Sequence, residues 1–199
     1  MPSVPALDHY LRVYDNRLDA AMCERLVSAF HASARFQKPN GAGVRAGLEN
    51  SGWTELNVTQ LSDAAFLGYF RKAIDEALAQ YNRDVGLSIP IPASPKTSDL
   101  VLKRYAPGGD QKFQLHFDSI YEHANRYVVF LWYLNDVAEG GETVFPDLGA
   151  SVRPAKGRLI MFPPYWMYQH AGRAPVSGDK YILSTYLLFE NSGGAAQAS

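Results

Sequence analysis

The segment Gln114-Leu-His-Phe-Asp-Ser119 places a histidine, His116, two residues before a carboxylate, Asp118. We interpret the surrounding run, residues 111–118, as a β-strand because turn residues bound it on its N-terminal side. Residues i and i+2 of a strand project from the same face, so this imidazole and this carboxylate would share one surface. A His-x-Asp pattern alone is weak evidence for a site, and its meaning depends on what else the chain brings to that face.

A second histidine, His170, lies in Tyr168-Gln-His-Ala-Gly-Arg173, and Lys180 opens the last long apolar run of the chain. Imidazole and carboxylate groups suit a borderline divalent ion, and the absence of thiols argues against a structural zinc site. Two histidines and one carboxylate also leave coordination positions open, which is the arrangement of non-haem Fe(II) oxygenases. We therefore predict that His116, Asp118 and His170 bind one catalytic metal ion.

Composition limits the class of protein. The chain has 199 residues, of which 47% are hydrophobic, and its formal net charge is −1. This balance predicts one well-packed domain without the basic surface that nucleic acid or anionic membranes would require. The longest apolar stretch, 127–134, is too short for a bilayer span, and residues 1–10 lack a signal-peptide pattern. The single cysteine, Cys23, favours a reducing compartment, so we expect a cytoplasmic protein; the oligomeric state stays open.

The N-terminal part, residues 1–96, is predicted to be mainly helical. We predict strands over 8–14 and 53–58 and helices over 17–33 and 63–84. Asp15 or Asn16 would cap the first helix, and Ser62 the second. Residues 35–52 contain Pro39, four glycines and no hydrophobic period, so we predict a loop that could act as a lid.

From residue 97 the pattern changes to short β-rich runs separated by turn residues. These runs cover residues 98–105, 111–118, 127–135, 142–145, 150–153, 157–162, 167–171 and 179–189. Many short strands at this spacing indicate an antiparallel barrel or a jelly roll.

Taken together, these stretches resemble the Fe(II)/2-oxoglutarate-dependent dioxygenases, specifically their prolyl 4-hydroxylase-like branch. The matching segments run in family order over about residues 100–189: Leu102-Lys-Arg-Tyr-Ala-Pro-Gly108, His116-Phe-Asp118, Tyr133-Leu-Asn-Asp136, Glu139-Gly-Gly-Glu-Thr-Val-Phe-Pro146, Val152-Arg-Pro154, Gly157, and His170-Ala-Gly-Arg-Ala-Pro-Val-Ser-Gly-Asp-Lys180. The resemblance implies an α+β fold in one domain, 1–199. A double-stranded β-helix (jelly-roll) core over 97–190 would carry the N-terminal helices on the outside of one sheet.

The resemblance also assigns roles to residues. It implies that the three predicted metal ligands hold Fe(II) and that Lys180 pairs with the distal carboxylate of 2-oxoglutarate. Tyr105 and Tyr133 match positions whose hydroxyls help to hold this co-substrate, and Thr143 would line the same pocket. The alternative for these three is a purely structural role as core aromatics or a strand threonine. Tyr186 stands where many relatives carry tryptophan, so the pocket wall is expected to differ there.

The implied activity is hydroxylation of an unactivated C–H bond with O2 and 2-oxoglutarate, with ascorbate as an optional further cofactor. Retention of Asp118 favours hydroxylation over halogenation, because related halogenases lack that carboxylate. A prolyl residue in a peptide or protein is the leading substrate prediction, and a free amino acid or small-molecule natural product is the alternative. A non-catalytic metal-binding sensor module and a metal-assisted hydrolase are further alternatives. Four residues from three regions are predicted to contact substrate: Arg45, Tyr121, Arg126 and Trp166.

Overall fold

The computed structural model of the protein describes residues 6–44, 46–92 and 96–189. Within these ranges, the two α-helices are α1 (Ala20–Ala32) and α2 (Ala64–Val85). The strands are β1 (Arg12–Tyr14), β2 (Lys38–Gly41), β3 (Gly52–Asn57), β4 (Val101–Tyr105), β5 (Phe113–His116), β6 (Arg126–Tyr133), β7 (Thr143–Phe145), β8 (Ala150–Val152), β9 (Leu159–Phe162), β10 (His170–Gly172) and β11 (Lys180–Leu188).

The strands form two antiparallel sheets. The larger sheet has the strand order β1-β9-β6-β11-β4-β3-β2, and the smaller has the order β5-β10-β7-β8. The predicted α+β class, a jelly-roll core with helices outside one sheet, is therefore confirmed, because buried residues of α1 and α2 pack on the larger sheet.

Strands β6 and β11 lie at the centre of the larger sheet and are buried along almost their whole length. Their alternate residues divide between two cores, as the two-residue period of a strand requires. Toward the helices, β6 directs Val128, Phe130 and Trp132, and toward the smaller sheet it directs Val129, Leu131 and Tyr133. Both faces of these strands are covered, which explains why their sequences are continuously apolar.

The first helix begins three residues later than the sequence predicted, and the second begins one residue later. Asp19 caps α1 through a 2.7 Å bond from the Met22 amide, and Asp63 caps α2 through a 2.8 Å bond from the Phe66 amide. The predicted capping residues were wrong, because groups at these positions form hydrogen bonds to other parts of the chain. The Arg17 amide after Asn16 donates to the Gly157 carbonyl (2.7 Å), and the Ser62 hydroxyl donates to the Val58 carbonyl (2.8 Å).

The prediction that residues 35–52 form only a loop was wrong, because this segment contains a strand. Lys38–Gly41 pairs with β3 as the edge strand β2 of the larger sheet. Pro39 is compatible with this position because an edge strand does not need every amide for pairing.

The end of the same loop is fastened to β5. The Gln114 side chain accepts from the Asn50 main-chain amide and donates to the Gly47 carbonyl. The main-chain amide of Gln114 donates to the buried Ser51 hydroxyl. Within the described ranges, no helix is both long enough and apolar enough to cross a membrane.

Replacing Leu102 by alanine should lower the free energy of unfolding by about 2–5 kcal/mol, because Leu102 is fully buried between the helices and the larger sheet. Chemical denaturation measures this loss. Leu115→Ala is the matched control. The Leu115 side chain is 51% exposed, so its truncation should change stability by less than about 0.5 kcal/mol. Equal losses in the two variants would contradict this description of the core.

Candidate active site

The three predicted metal ligands lie together at one end of the smaller sheet. His116 ends β5 and His170 begins β10, and the two residues are directly paired across these antiparallel strands. His116 Nε2 lies 3.5 Å from Asp118 Oδ1, and His170 Nε2 lies 3.5 Å from Asp118 Oδ2. Each of the three residues offers one possible ligand atom, and these three atoms lie within 4.8 Å of one another. One ion could therefore contact all three.

Asp118 reaches this position by a different route from the one predicted. The strand ends at His116, so the two-residue period of a strand does not orient Asp118. Instead, the amides of Asp118 and Ser119 both donate to the Pro164 carbonyl at 3.0 Å. These two hydrogen bonds hold the segment after β5 so that the Asp118 carboxylate faces the two imidazoles.

Backbone carbonyls orient both histidine rings. His116 Nδ1 lies 2.8 Å from the Gln114 carbonyl oxygen, and His170 Nδ1 lies 3.1 Å from the Tyr168 carbonyl oxygen. A carbonyl only accepts, so each Nδ1 carries the proton and each Nε2 presents its lone pair to the site. Among the described residues, neither His116 Nε2 nor Asp118 Oδ2 has a hydrogen-bond partner, although both atoms are buried. Buried polar atoms rarely remain unpaired, so these fit a metal site.

Electrostatics keep His170 and Asp118 in the forms that bind metals. Burial and the neighbouring His116 lower the pKa of His170 to about 4, so its imidazole is neutral at pH 7. Burial alone would raise the pKa of Asp118, but His170 and His116 hold it well below its usual range. Asp118 is therefore ionised. Neutral imidazoles and a carboxylate are the ligand types that suit Fe(II).

Aromatic rings restrict the movement of the two imidazoles. Phe113 stacks on His116 with ring centroids 3.7 Å apart, and Phe162 packs edge-on against His170 at 4.9 Å. Phe113 was not among the predicted site residues. Residues three apart in a regular strand project from opposite faces, so the strand period gave no signal for this contact.

A cavity with about 400 Å³ of empty space, including its open mouth, adjoins the three donors. Lys180 lines it and is only 2% exposed. Burial lowers the pKa of the Lys180 ammonium to about 7. The ammonium lies 5.2 Å from the centre of the Tyr105 ring and 5.5 Å from that of Tyr133. The buried ammonium of Lys180 therefore lies beside two aromatic rings, and an anionic ligand would stabilise its charge.

The other predicted cofactor-binding residues occupy two layers of this cavity wall. Tyr105 and Thr143 line it directly. The Tyr133 hydroxyl bonds to Thr143 Oγ1 at 2.7 Å and to the Val152 carbonyl oxygen at 3.2 Å. Tyr133 thus holds Thr143 in place, whereas burial raises the pKa of Tyr105 and keeps its hydroxyl protonated as a donor.

The predicted substrate residues are placed differently from one another. Tyr121 is 83% exposed and Trp166 is 65% exposed. They lie on two different loops, which are joined where the Pro164 carbonyl accepts from the amides of Asp118 and Ser119. Arg126 turns inward, and its guanidinium lies 3.9 Å from the centre of the Tyr186 ring. Arg45 lies outside the described residues.

Tyr186 was predicted to alter the pocket wall, but its main contact was not predicted. The Tyr186 hydroxyl donates to Asp118 Oδ1 at 2.9 Å. The sequence does indicate that Tyr186 faces the cavity, because positions 180, 182, 184 and 186 share one face of a strand. All four of these residues line the cavity.

Comparison with known proteins agrees with this geometry. Residues 100–188 match the family described as the 2OG-Fe(II) oxygenase superfamily. A probable prolyl 4-hydroxylase 11 from Arabidopsis thaliana is 31% identical over 175 residues, covering 83% of this chain and 57% of that protein. The prolyl 4-hydroxylase subunit alpha-1 of Gallus gallus is 31% identical over 106 residues, covering 45% of this chain and 20% of the relative. The chain therefore spans little more than half the length of the first relative and a fifth of the second.

Three solved structures share the fold. The viral collagen prolyl hydroxylase of Paramecium Bursaria Chlorella virus-1, in complex with 2OG, has a TM-score of 0.61 and 22% identity, covering 89% of this chain and 94% of that one. A prolyl-4-hydroxylase from Pseudomonas putida has a TM-score of 0.66 and 18% identity, covering 90% of this chain and 92% of that one. A prolyl hydroxylase from Trichoplax adhaerens, bound to a hypoxia inducible factor peptide fragment, has a TM-score of 0.68 and 14% identity, covering 90% of this chain and 84% of that one.

Adding Mn(II) to the metal-free protein should raise its melting temperature, because the ion binds the folded site and not the unfolded chain. At a free concentration about 100 times Kd, the stabilisation should be about 2.7 kcal/mol. His116→Ala should lose most of this gain in a thermal-shift titration. His9→Ala is the control, since His9 bonds to the Val85 carbonyl on the helical side. An undiminished gain in His116→Ala would contradict the site.

Proposed function

We propose that this chain belongs to the 2OG-Fe(II) oxygenase superfamily, in its prolyl 4-hydroxylase-like branch. The protein is an Fe(II)- and 2-oxoglutarate-dependent dioxygenase that hydroxylates an unactivated C–H bond. One observation carries this proposal, namely that three metal donors and one buried ammonium line a single cavity. A metal-binding sensor would have no evident use for that ammonium.

His116, Asp118 and His170 would hold the iron through His116 Nε2, His170 Nε2 and an oxygen of Asp118. When bound, Fe(II) supplies O2 activation coupled to the oxidation of 2-oxoglutarate to succinate and CO2. Three protein donors leave room for the co-substrate and O2.

Lys180 supplies the recognition of 2-oxoglutarate. Its ammonium is a compact charge at the end of a flexible stem, which suits the distal carboxylate of a dicarboxylate. Tyr105 can add a hydrogen bond from its hydroxyl, and Thr143 can add another from its side chain, since both line the same wall. Binding there would pair a buried charge, so discrimination against co-substrates without the distal carboxylate should be strong.

The apolar part of the wall keeps water from the reacting atoms. Leu131 and Ile182 project into the cavity from neighbouring central strands, and Phe113 covers it from the smaller sheet. A dry, fixed environment favours hydrogen abstraction from the positioned substrate over side reactions. The chain itself contributes binding, orientation and exclusion of solvent.

The proposed substrate is a prolyl residue in a peptide or protein. The names of the relatives support this choice, and the Trichoplax adhaerens enzyme is described with a bound peptide. The exposed rings of Tyr121 and Trp166 lie on the two loops that meet beside Asp118. Aromatic side chains are suitable surfaces for a proline-rich segment in an extended, left-handed helix. We also propose a cytoplasmic location, from the single buried thiol of Cys23.

Purified protein with Fe(II), O2, 2-oxoglutarate and a proline-rich peptide should form succinate and add one oxygen atom to a prolyl residue. Lys180→Met should reduce turnover by about 100-fold or more at limiting 2-oxoglutarate, since the buried charge partner is lost. Lys72→Met is the control, because Lys72 lies exposed on α2. Mass spectrometry of the peptide and succinate detection provide the two readouts. Absence of succinate across a broad panel of peptides and amino acids would contradict the function.

Affinity for 2-oxoglutarate should fall as the pH rises above about 7. Burial lowers the pKa of Lys180 to about 7, so the free protein loses its ammonium above that pH, whereas the bound carboxylate requires it. Binding should take up a proton, and Kd should rise by about tenfold per pH unit until the raised pKa of the complex is reached. Calorimetry in buffers of different ionisation enthalpy, at saturating metal, measures both quantities.

Lys180→Arg is the matched control for this pH dependence. A guanidinium stays charged over the whole range, so the variant should bind more weakly but with an affinity that changes little between about pH 6.5 and 8.5. Proton release, or the absence of proton exchange in the wild-type protein, would contradict the interpretation of Lys180.

A further inference from the structure

The two carboxylate oxygens of Asp118 have different surroundings. Oδ1 accepts a hydrogen bond from the Tyr186 hydroxyl at 2.9 Å. Oδ2 is buried and has no hydrogen-bond partner within the described ranges, and it lies 3.5 Å from His170 Nε2. The carboxylate therefore presents one oxygen that already has a protein partner and one that lacks it.

Tyr186 is held firmly enough to impose this difference. It lies toward the C-terminal end of β11, where Val129 of β6 is its register partner on one side. On the other side, the Ser98 amide donates to the Tyr186 carbonyl at 2.9 Å. The side chain is buried. A phenol on a central strand has little freedom to leave its partner.

Arg126 packs over the face of the Tyr186 ring. Its guanidinium carbon lies 3.9 Å from the ring centre, which is a close cation–π contact. Nη1 of the same guanidinium lies 3.4 Å from the Asp118 main-chain carbonyl oxygen, to which it donates. Arg126 thus links the backbone of Asp118 to the ring that contacts its side chain.

We propose that Tyr186 is a positioning residue for Asp118, and that its hydroxyl occupies Oδ1 so that Oδ2 alone binds the metal. The inference rests on the proposed function, because it assigns the binding mode of one ligand in that site. A carboxylate bound through one oxygen occupies one coordination position. The position that a second oxygen would take remains available to 2-oxoglutarate and O2.

Loss of the hydroxyl should change the metal site in a defined way. The terminal torsion of an aspartate is broad, so the freed carboxylate can rotate and offer both oxygens. Partners that orient metal ligands typically contribute 10–100-fold to metal affinity or activity. Tyr186→Phe keeps the ring and its contact with Arg126, and it removes only the hydroxyl.

The test uses Co(II) as a spectroscopic probe and contains no substrate. Tyr186→Phe should bind Co(II) about tenfold more weakly than the wild-type protein and should show a shifted visible absorption spectrum. Tyr81→Phe is the matched control, because Tyr81 is a buried tyrosine of α2 whose hydroxyl donates to the Tyr10 carbonyl at 2.8 Å. Its Co(II) affinity and spectrum should equal those of the wild-type protein.

A second variant covers the case in which Tyr186→Phe does not fold. Arg126→Gln leaves the Tyr186 hydroxyl in place but removes the cation that covers its ring. It should shift the Co(II) spectrum in the same direction by a smaller amount. Since no substrate is present, this shift cannot come from a role of Arg126 in substrate binding.

The outcomes separate this inference from the function on which it rests. The first outcome is that the wild-type protein binds Co(II) and Tyr186→Phe shows the same affinity and spectrum. This result would overturn the positioning role and leave the oxygenase function intact. An unchanged spectrum in Arg126→Gln would do the same if Tyr186→Phe were unfolded. Failure of the wild-type protein to bind Co(II) at all would overturn both.

Discussion

The antiparallel pairing of β5 with β10 is the constraint on which the site depends. It sets His116 directly opposite His170, so two imidazoles from distant parts of the sequence meet at one end of the smaller sheet. Each ring then bonds through Nδ1 to a carbonyl two residues earlier in its own chain segment. A shift of one residue in this pairing would send one imidazole to the opposite face of the sheet and dismantle the site.

Strand β11 connects the stability of the protein to its chemistry. Its even-numbered residues from Lys180 to Tyr186 face the cavity. Tyr181, Leu183 and Leu187 face the core under the helices. The residues that line the cavity are therefore fixed by the same strand that packs against the helices. Rigid central strands hold functional groups more accurately than loops do, which suits a site that must orient a co-substrate.

Much of this arrangement could be predicted from the sequence, and the limits have physical causes. The jelly-roll class and the grouping of His116, Asp118 and His170 followed from strand patterns, ligand chemistry and family resemblance. The strand geometry expected for Asp118 was wrong, because hydrogen bonds to Pro164, far away in the sequence, set its direction. The edge strand β2 was missed because proline and glycine obscure its propensity, and pairing with β3 decides its structure. The strand period places Tyr186 on the same face as Lys180, but its contact with Asp118 crosses from the larger sheet to the segment after β5, and a single sequence does not specify how these parts face one another.

Gln114 links the metal site to the surface of the protein. Its carbonyl oxygen holds the ring of His116, and its side chain holds the main chain at Gly47 and Asn50. Both attachments belong to one residue of β5, so a displacement of residues 47–50 acts on the same backbone that orients a predicted metal ligand. A partner that binds this surface segment would therefore bear on the angle of the His116 ring.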